Sequence, residues 1–189
     1  MNTLPILVDV DGVVLDFVGA LCSKLNAHYD LSHTDGYNPR DFREYDLRET
    51  LNPVSMNLVS QWSKDGTLCD AREAYPDARK WLQTLQALAP VQFLTAGGPG
   101  DWNRKSTDFL VRYVSSATVI ISAPHDKPSV AGRTLIEDFP ATAEAWAEAQ
   151  GTVSVLLDRP WNHSAKLSPR VLRARNYMHA TSIVRELCL

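Results

Sequence analysis

The chain has 189 residues, 44% hydrophobic and 22% charged, with a formal net charge of −3. That is the composition of a globular protein of ordinary size: one domain, or a core with a modest insertion. It has no basic excess to neutralise a nucleic-acid backbone, which argues against a nucleic-acid polymer as partner and leaves room for small anionic ligands, whose site needs only one or two local cations. Three widely spaced cysteines, Cys22, Cys69 and Cys188, form no CxxC and predict reduced thiols in a cytoplasm. The N-terminus carries no basic leader, and two aspartates interrupt its apolar stretch, which argues against a signal peptide or a membrane span.

In chain order, Leu4–Val8 reads as a buried strand that delivers Asp9 and Asp11 and is then broken by Gly12. In an extended chain residues i and i+2 face the same way, with Cα atoms roughly 7 Å apart. Two such carboxylates repel each other unless a cation lies between them or one is protonated in use. A β-turn explains Asp11-Gly12 but not Asp9 after a wholly apolar strand. About eighty residues with no convincing buried strand follow, with helical candidates at Asp16–His28 and Val54–Ser63 around a polar stretch, Ser32–Glu49. Beyond them Val91–Leu94, Thr118–Ile121, Thr134–Ile136 and Val153–Leu157 read as strands, alternating with helices over Pro76–Leu88, Asp101–Val114 and Pro140–Ala149. Strand–helix alternation predicts an α/β fold, a parallel sheet covered by helices on both faces, with its active site beyond the carboxyl ends of the strands. The remainder, Ser164–Leu189, reads as a basic connector and a terminal helix.

Three groups of residues fall at those strand ends. Thr95-Ala96-Gly97-Gly98-Pro99-Gly100 places a hydroxyl before a glycine-rich loop, suited to phosphate through Thr95 and bare backbone N–H groups, although the same run also makes a flexible loop. His125-Asp126-Lys127-Pro128 follows the third strand, and His125 there reads as an ordinary loop histidine. Glu137-Asp138 closes the fourth strand, an expensive position for two acids that bind nothing. Neighbouring strand residues face opposite sides, so one of the pair points at the site.

Asp9-Val10-Asp11-Gly12-Val13 resembles the first signature of the haloacid dehalogenase-like phosphohydrolases. The resemblance implies a three-layer Rossmann-like core and, in order, a Ser/Thr, a Lys and an acidic pair at later strand ends. Thr95, Lys127 and Glu137-Asp138 occupy those places; Lys127 suits its place better than Lys105, which reads as a solvated helix residue near the possible cap Asp101. It also implies a small helical cap inserted after the first strand, here 17–88 including the helix leading back into a core of 1–16 and 89–189. A long crossover packed on the core is the plainer alternative. Asp126 to Asp138, together with Asp9 to Phe17 and the Val59-Ser60-Gln61-Trp62 run, is similar to the 5′(3′)-deoxyribonucleotidase branch. The Asp158-Arg159-Pro160-Trp161-Asn162 turn resembles related bacterial and phage members. Two departures stand out: Ala96-Gly97 replaces the branch's Ser-Pro, and Glu137 replaces its first Asp.

The implied chemistry is phosphomonoester hydrolysis with Mg²⁺, held by Asp9, the Asp11 backbone carbonyl and Asp138, with Glu137 acting behind them or through water. Asp9 is the expected nucleophile, ionised without help at its ordinary pKa of about 3.9. Asp11 is the expected acid and base, and Thr95, Ala96, Gly97 and Lys127 the phosphate holders. Phe17 and Trp62 are candidates to stack on a nucleobase, with Tyr37, Phe42, Arg43 and Tyr45 in the same region; helical aromatics are more often core. The expected substrate is a (deoxy)nucleoside monophosphate. A sugar phosphate, another small ester, or phospholigand binding without turnover are the alternatives. A monomer or homodimer, with no membrane partner, completes the expectation.

Overall fold

The computed structural model describes residues 4–32, 35–97 and 118–188. Gly98, Pro99, Gly100, Asp101, Lys105 and the helix expected over 101–114 lie outside the described residues. Six strands form one parallel sheet: β1 (Ile6–Val8), β2 (Val91–Ala96), β3 (Thr118–Ser122), β4 (Thr134–Glu137), β5 (Ser154–Leu157) and β6 (Val171–Ala174). Their spatial order is β3-β2-β1-β4-β5-β6, with β1 at the centre. Helices α1 (Phe17–Tyr29), α2 (Pro53–Asp65), α3 (Thr67–Asp70) and α4 (Ala78–Gln86) lie between β1 and β2, α5 (Pro140–Gln150) follows β4, and α6 (Tyr177–Cys188) ends the chain.

Why these strands are apolar on both faces is visible in the packing. Ile6, Val8, Phe93, Ile136, Val155 and Leu157 pack under Trp81, Leu82 and Leu85 of α4 and Ala180, Ile183 and Val184 of α6. Leu7, Leu94, Leu135 and Leu156 point to the other face, against Ala143, Trp146 and Ala147 of α5. A strand covered on both faces needs a continuous apolar run rather than an alternating one. At the edge of the first layer the Trp81 and Tyr177 rings stack 4.2 Å apart, fixing α4 against α6.

The segment after β1 packs an apolar cluster of its own. Val18, Leu21, Leu25, Phe42, Leu51, Val59 and Leu68 form it, with Trp161 from the sheet side. Asp16 begins α1 by accepting from the Gly19 N–H at 2.8 Å, and Asn52 begins α2 by accepting from Ser55 at 2.9 Å. Helix α4, by contrast, belongs to the main core.

Three elements depart from the sequence expectation. The strand β6 lies in what reads as a connector. It is an edge strand in which only Val171 and Ala174 are buried, while Leu172 is exposed and Arg173 is held by Asp158 at 2.7 Å. The charged Arg173 therefore masks its pattern. The short α3 has no sequence signal, and β2 runs on through Thr95 and Ala96. Burial lifts the Cys22 thiol to about 12, which makes it unreactive. Among the described residues no helix is long and apolar enough to cross a membrane.

Candidate active site

The register of the sheet brings distant acids together. Val8 pairs with Ile136, and the Asp9 N–H donates to the Ile136 carbonyl at 2.9 Å, which sets Asp9 beside Glu137 at the carboxyl edge. Val8 also pairs with Phe93, so Thr95, next to last in β2, lies towards the same edge. Thr95 is buried, and its hydroxyl donates to the Ala96 carbonyl at 3.1 Å.

Asp9, Glu137 and Asp138 are all buried, and each offers a carboxylate oxygen within 4.8 Å of the others. Both members of the acidic pair reach the site. The alternation that would send them to opposite faces stops at Glu137, where β4 ends, and Asp138 leaves the strand. Glu137 Oε1 accepts from the Asp138 and Phe139 N–H groups at 3.1 and 3.3 Å, which leaves Oε2 for Lys127.

Lys127 sits on a short 3-10 segment, Pro124–Ser129, and is 5% exposed. Its Nζ donates to Asp9 Oδ1 at 2.6 Å and to Glu137 Oε2 at 3.0 Å. Burial alone would lower its pKa; the charges of Asp9 and Glu137 outweigh burial and raise it, so the ammonium stays charged. Burial, then the Glu137 charge, lifts the Asp9 carboxyl from its ordinary 3.8 to about 7, against the pull of Lys127. The Asp138 carboxyl is likewise raised, by burial and then by Glu137 and Asp9. The ordinary acidity expected of Asp9 thus gives way to a site with more negative charge than one lysine balances.

Asp11 stands apart from this trio. Its carboxylate meets the buried Arg72 guanidinium, with Nη1 2.9 Å from Oδ1 and 3.1 Å from Oδ2. Arg72 also lies over the Phe17 ring, 5.0 Å from its centroid. No motif marks Arg72 in the sequence; only its burial next to an acid sixty-one residues away reveals it.

Gly12 turns the chain between Asp11 and the trio. Its φ is +78°, and a Cβ there would fall 2.0 Å from Asp138 Oδ2. Both the backbone conformation and the close approach require glycine. The turn Asp158–Asn162 braces the loop from below. Arg159 Nε donates to the Gly12 carbonyl at 2.6 Å, Trp161 Nε1 to Asp138 Oδ2 at 2.8 Å, and Asn162 Nδ2 to the Asp138 carbonyl at 2.8 Å.

A cavity opens beside these groups, lined by Asp11, Gly12 and Asp138 on the sheet side and by Phe17, Phe42, Glu44, Tyr45 and Leu47 from the inserted segment, with Trp161 between. Tyr45 stacks on Phe139, the residue after Asp138, with centroids 3.8 Å apart. Trp62 is elsewhere: it packs against His28 and under Lys24, and it is not among the lining residues. Tyr37 hydrogen-bonds Ser55 within the inserted segment.

Solved structures share this architecture. A haloacid dehalogenase-like hydrolase from Burkholderia xenovorans LB400 matches with a TM-score of 0.66 at 18% identity, covering all of both chains. A haloacid dehalogenase family hydrolase from Deinococcus radiodurans R1, with bound phosphate and sodium, matches at 0.59 and 15% identity over 98% of this chain and 96% of its own. A predicted phosphoglycolate phosphatase from Haemophilus somnus 129PT matches at 0.59 and 12% identity, over 97% and 99%. No curated protein sequence matches the chain. The fold is therefore that of the haloacid dehalogenase-like hydrolases. The model of the family "5′ nucleotidase, deoxy (Pyrimidine), cytosolic type C protein" matches residues 2–187, and the chain belongs to that family. It is a phosphomonoester hydrolase of the 5′-nucleotidase type.

Proposed function

We propose that this protein is a Mg²⁺-dependent phosphatase of nucleoside monophosphates, deoxynucleotides among them, working through a phosphorylated Asp9. The observation that carries the substrate is the cavity. Aromatic walls from Phe17, Phe42, Tyr45 and Trp161 stand over Asp11, Gly12 and Asp138, so a planar base can lie on rings while its phosphate reaches the acids. The inserted segment, 17–88, then acts as the cap that selects the substrate. Trp62 supports that segment rather than touching the base.

The donor set fits Mg²⁺. Three buried carboxylates supply oxygen alone; burial and then their mutual repulsion raise Asp9 and Asp138, and a hard divalent cation relieves both. Asp9, Asp138 and the Asp11 main-chain carbonyl would hold it, with Glu137 bound to Lys127 behind them. When bound, the cation neutralises charge on the phosphoryl oxygens.

Asp9 attacks the phosphorus as a carboxylate, forming an acyl-phosphate bond while the ester P–O bond breaks. Asp11 gives its proton to the leaving alkoxide oxygen. A water then attacks the phosphorus, Asp11 takes its proton, and the Asp9–phosphorus bond breaks to release inorganic phosphate. Lys127 and the Thr95 hydroxyl, with the Ala96 and Gly97 N–H groups, steady the charge that builds on the phosphoryl oxygens. Asp11, its side chain 27% exposed and lining the cavity, is open to substrate while it pairs with Arg72.

The partner is thus a small phosphorylated substrate, with no nucleic-acid polymer and no membrane, in the cytoplasm, by a monomer or homodimer. The test is phosphate release from 5′- and 3′-nucleoside and deoxynucleoside monophosphates and several sugar phosphates, with Mg²⁺ and with EDTA. Metal-dependent preference for nucleotides is expected. Equal or better turnover of sugar phosphates would overturn the nucleotide assignment.

A further inference from the structure

We propose that Trp161 is a positioning residue for the metal: its indole N–H sets the carboxylate of Asp138 in the orientation that receives the cation. The inference rests on the metal-dependent reading above.

Three observations converge on this side chain. Its Nε1 donates to Asp138 Oδ2 at 2.8 Å in a buried contact. Asp138 Oδ2 also lies against Gly12, where no side-chain atom fits. That oxygen is therefore held from two sides, while Asp138 brings a carboxylate oxygen within 4.8 Å of those of Asp9 and Glu137. Trp161 itself, 6% exposed, is packed into the apolar cluster of the inserted segment with Val18, Leu21 and Phe42. Its backbone is held too. Pro160 starts the turn, and Asn162 ties it to the Leu157 and Asp138 carbonyls at 2.9 and 2.8 Å. Asn162 Oδ1 in turn accepts from Arg173 at 2.8 Å.

The physical argument is one of preorganisation. A buried carboxylate repelled by two neighbours turns away from them unless something holds it. A rigid N–H donor on one carboxylate oxygen does so without adding charge to the site. Groups that orient metal ligands in this way typically change metal affinity by about 10- to 100-fold when removed. Because the same ring is a wall of the cavity and part of the cap's packing, the residue links the inserted segment to the metal ligand.

The experiment is Mg²⁺ binding to the full chain by titration calorimetry, wild type against Trp161→Phe, which keeps an aromatic ring and loses the N–H. Metal affinity should fall about 10- to 100-fold while the thermal midpoint of the metal-free protein changes little. The Mg²⁺ concentration that half-saturates phosphate release should move by the same factor. A folded Trp161→Phe protein with wild-type Mg²⁺ affinity overturns the inference while leaving the metal-dependent reading in place. A wild-type protein that binds no divalent cation overturns both. Should the variant fail to fold, the indole N–H resonance of Trp161 in the wild-type protein, assigned through variants of the other four tryptophans, should shift on Mg²⁺ addition with the calorimetric affinity. An unmoved resonance under saturating Mg²⁺ overturns the inference as well.

Discussion

The Arg72 guanidinium stands 2.9 Å from one carboxylate oxygen of Asp11 and 3.1 Å from the other, joining the return of the inserted segment to the loop after β1. It is the buried member of the pair, its side chain 2% exposed against 27% for Asp11. A buried guanidinium needs that partner more than Asp11 does.

Arg72→Lys is the informative change, because a lysine keeps the charge but not the planar fork. The protein should fold, with stability lower by about 1–3 kcal/mol from the lost charged hydrogen bonds. Turnover should fall with KM little changed, since Asp11 rather than the cavity loses its guide. Urea unfolding and steady-state kinetics check both halves; a normal kcat would leave Arg72 a purely structural residue.

Asp9→Asn should abolish phosphate release, by at least about 10⁴-fold in kcat as for other nucleophile deletions. The amide oxygen can still accept from Lys127, so the fold is retained. The change also removes one of three crowded negative charges, so the metal-free variant should melt no lower than the wild type. Substantial residual turnover in a folded variant would remove Asp9 from the nucleophile role.

Metal-free protein should lose stability as pH rises. The Asp9 carboxyl titrates near 7 when folded against 3.8 ordinarily, so between these values the folded chain holds more protons than the unfolded one. Stability therefore declines with rising pH through that window. Mg²⁺ displaces the protons it competes with, so it should raise the melting temperature more at about pH 7.5 than at about pH 5. Melting curves with EDTA and with Mg²⁺ at both values decide it; a larger Mg²⁺ effect in acid would contradict the assignment.

Gly12→Ala should be severe for its size. The new Cβ meets Asp138 Oδ2 at 2.0 Å, and the positive φ penalises any side chain. A stability loss of about 1–3 kcal/mol is expected from the backbone alone, with Mg²⁺ affinity reduced because Asp138 must move. Calorimetry and thermal melts measure the two separately. Unchanged metal binding would show that Asp138 can shift without consequence.

Some of this was legible in the residues. Five of the six strands are near-continuous apolar runs, and such runs announce a sheet buried on both faces whatever its order. Asp9, Thr95 and Asp138 stood out as candidates because acids and a hydroxyl at the ends of such runs have few structural uses, and Lys127 because the resemblance implies a lysine between the second and fourth of those positions. The strand β6 could not be seen, since Arg173 cuts a four-residue run short, and it is at an edge position that such a residue is tolerated.

Sequence alone therefore determined the central sheet, because local apolar pattern carries it, and the class of chemistry, through the motifs that resemble the haloacid dehalogenase-like phosphohydrolases. Tertiary structure decided the rest. Parallel register set Asp9 beside Glu137, the end of β4 let both acids face inward, and the crowding of buried charge raised Asp9. Arg72 was invisible in the chain, and the turn carrying Arg159 and Trp161 was legible only as a resemblance and not as a brace, because such side chains act through contacts across 61, 147 and 23 residues respectively. Trp62, aromatic and on the inserted segment, had the right chemistry in the wrong place, since the packing of α1 against α2 turns it away from the cavity.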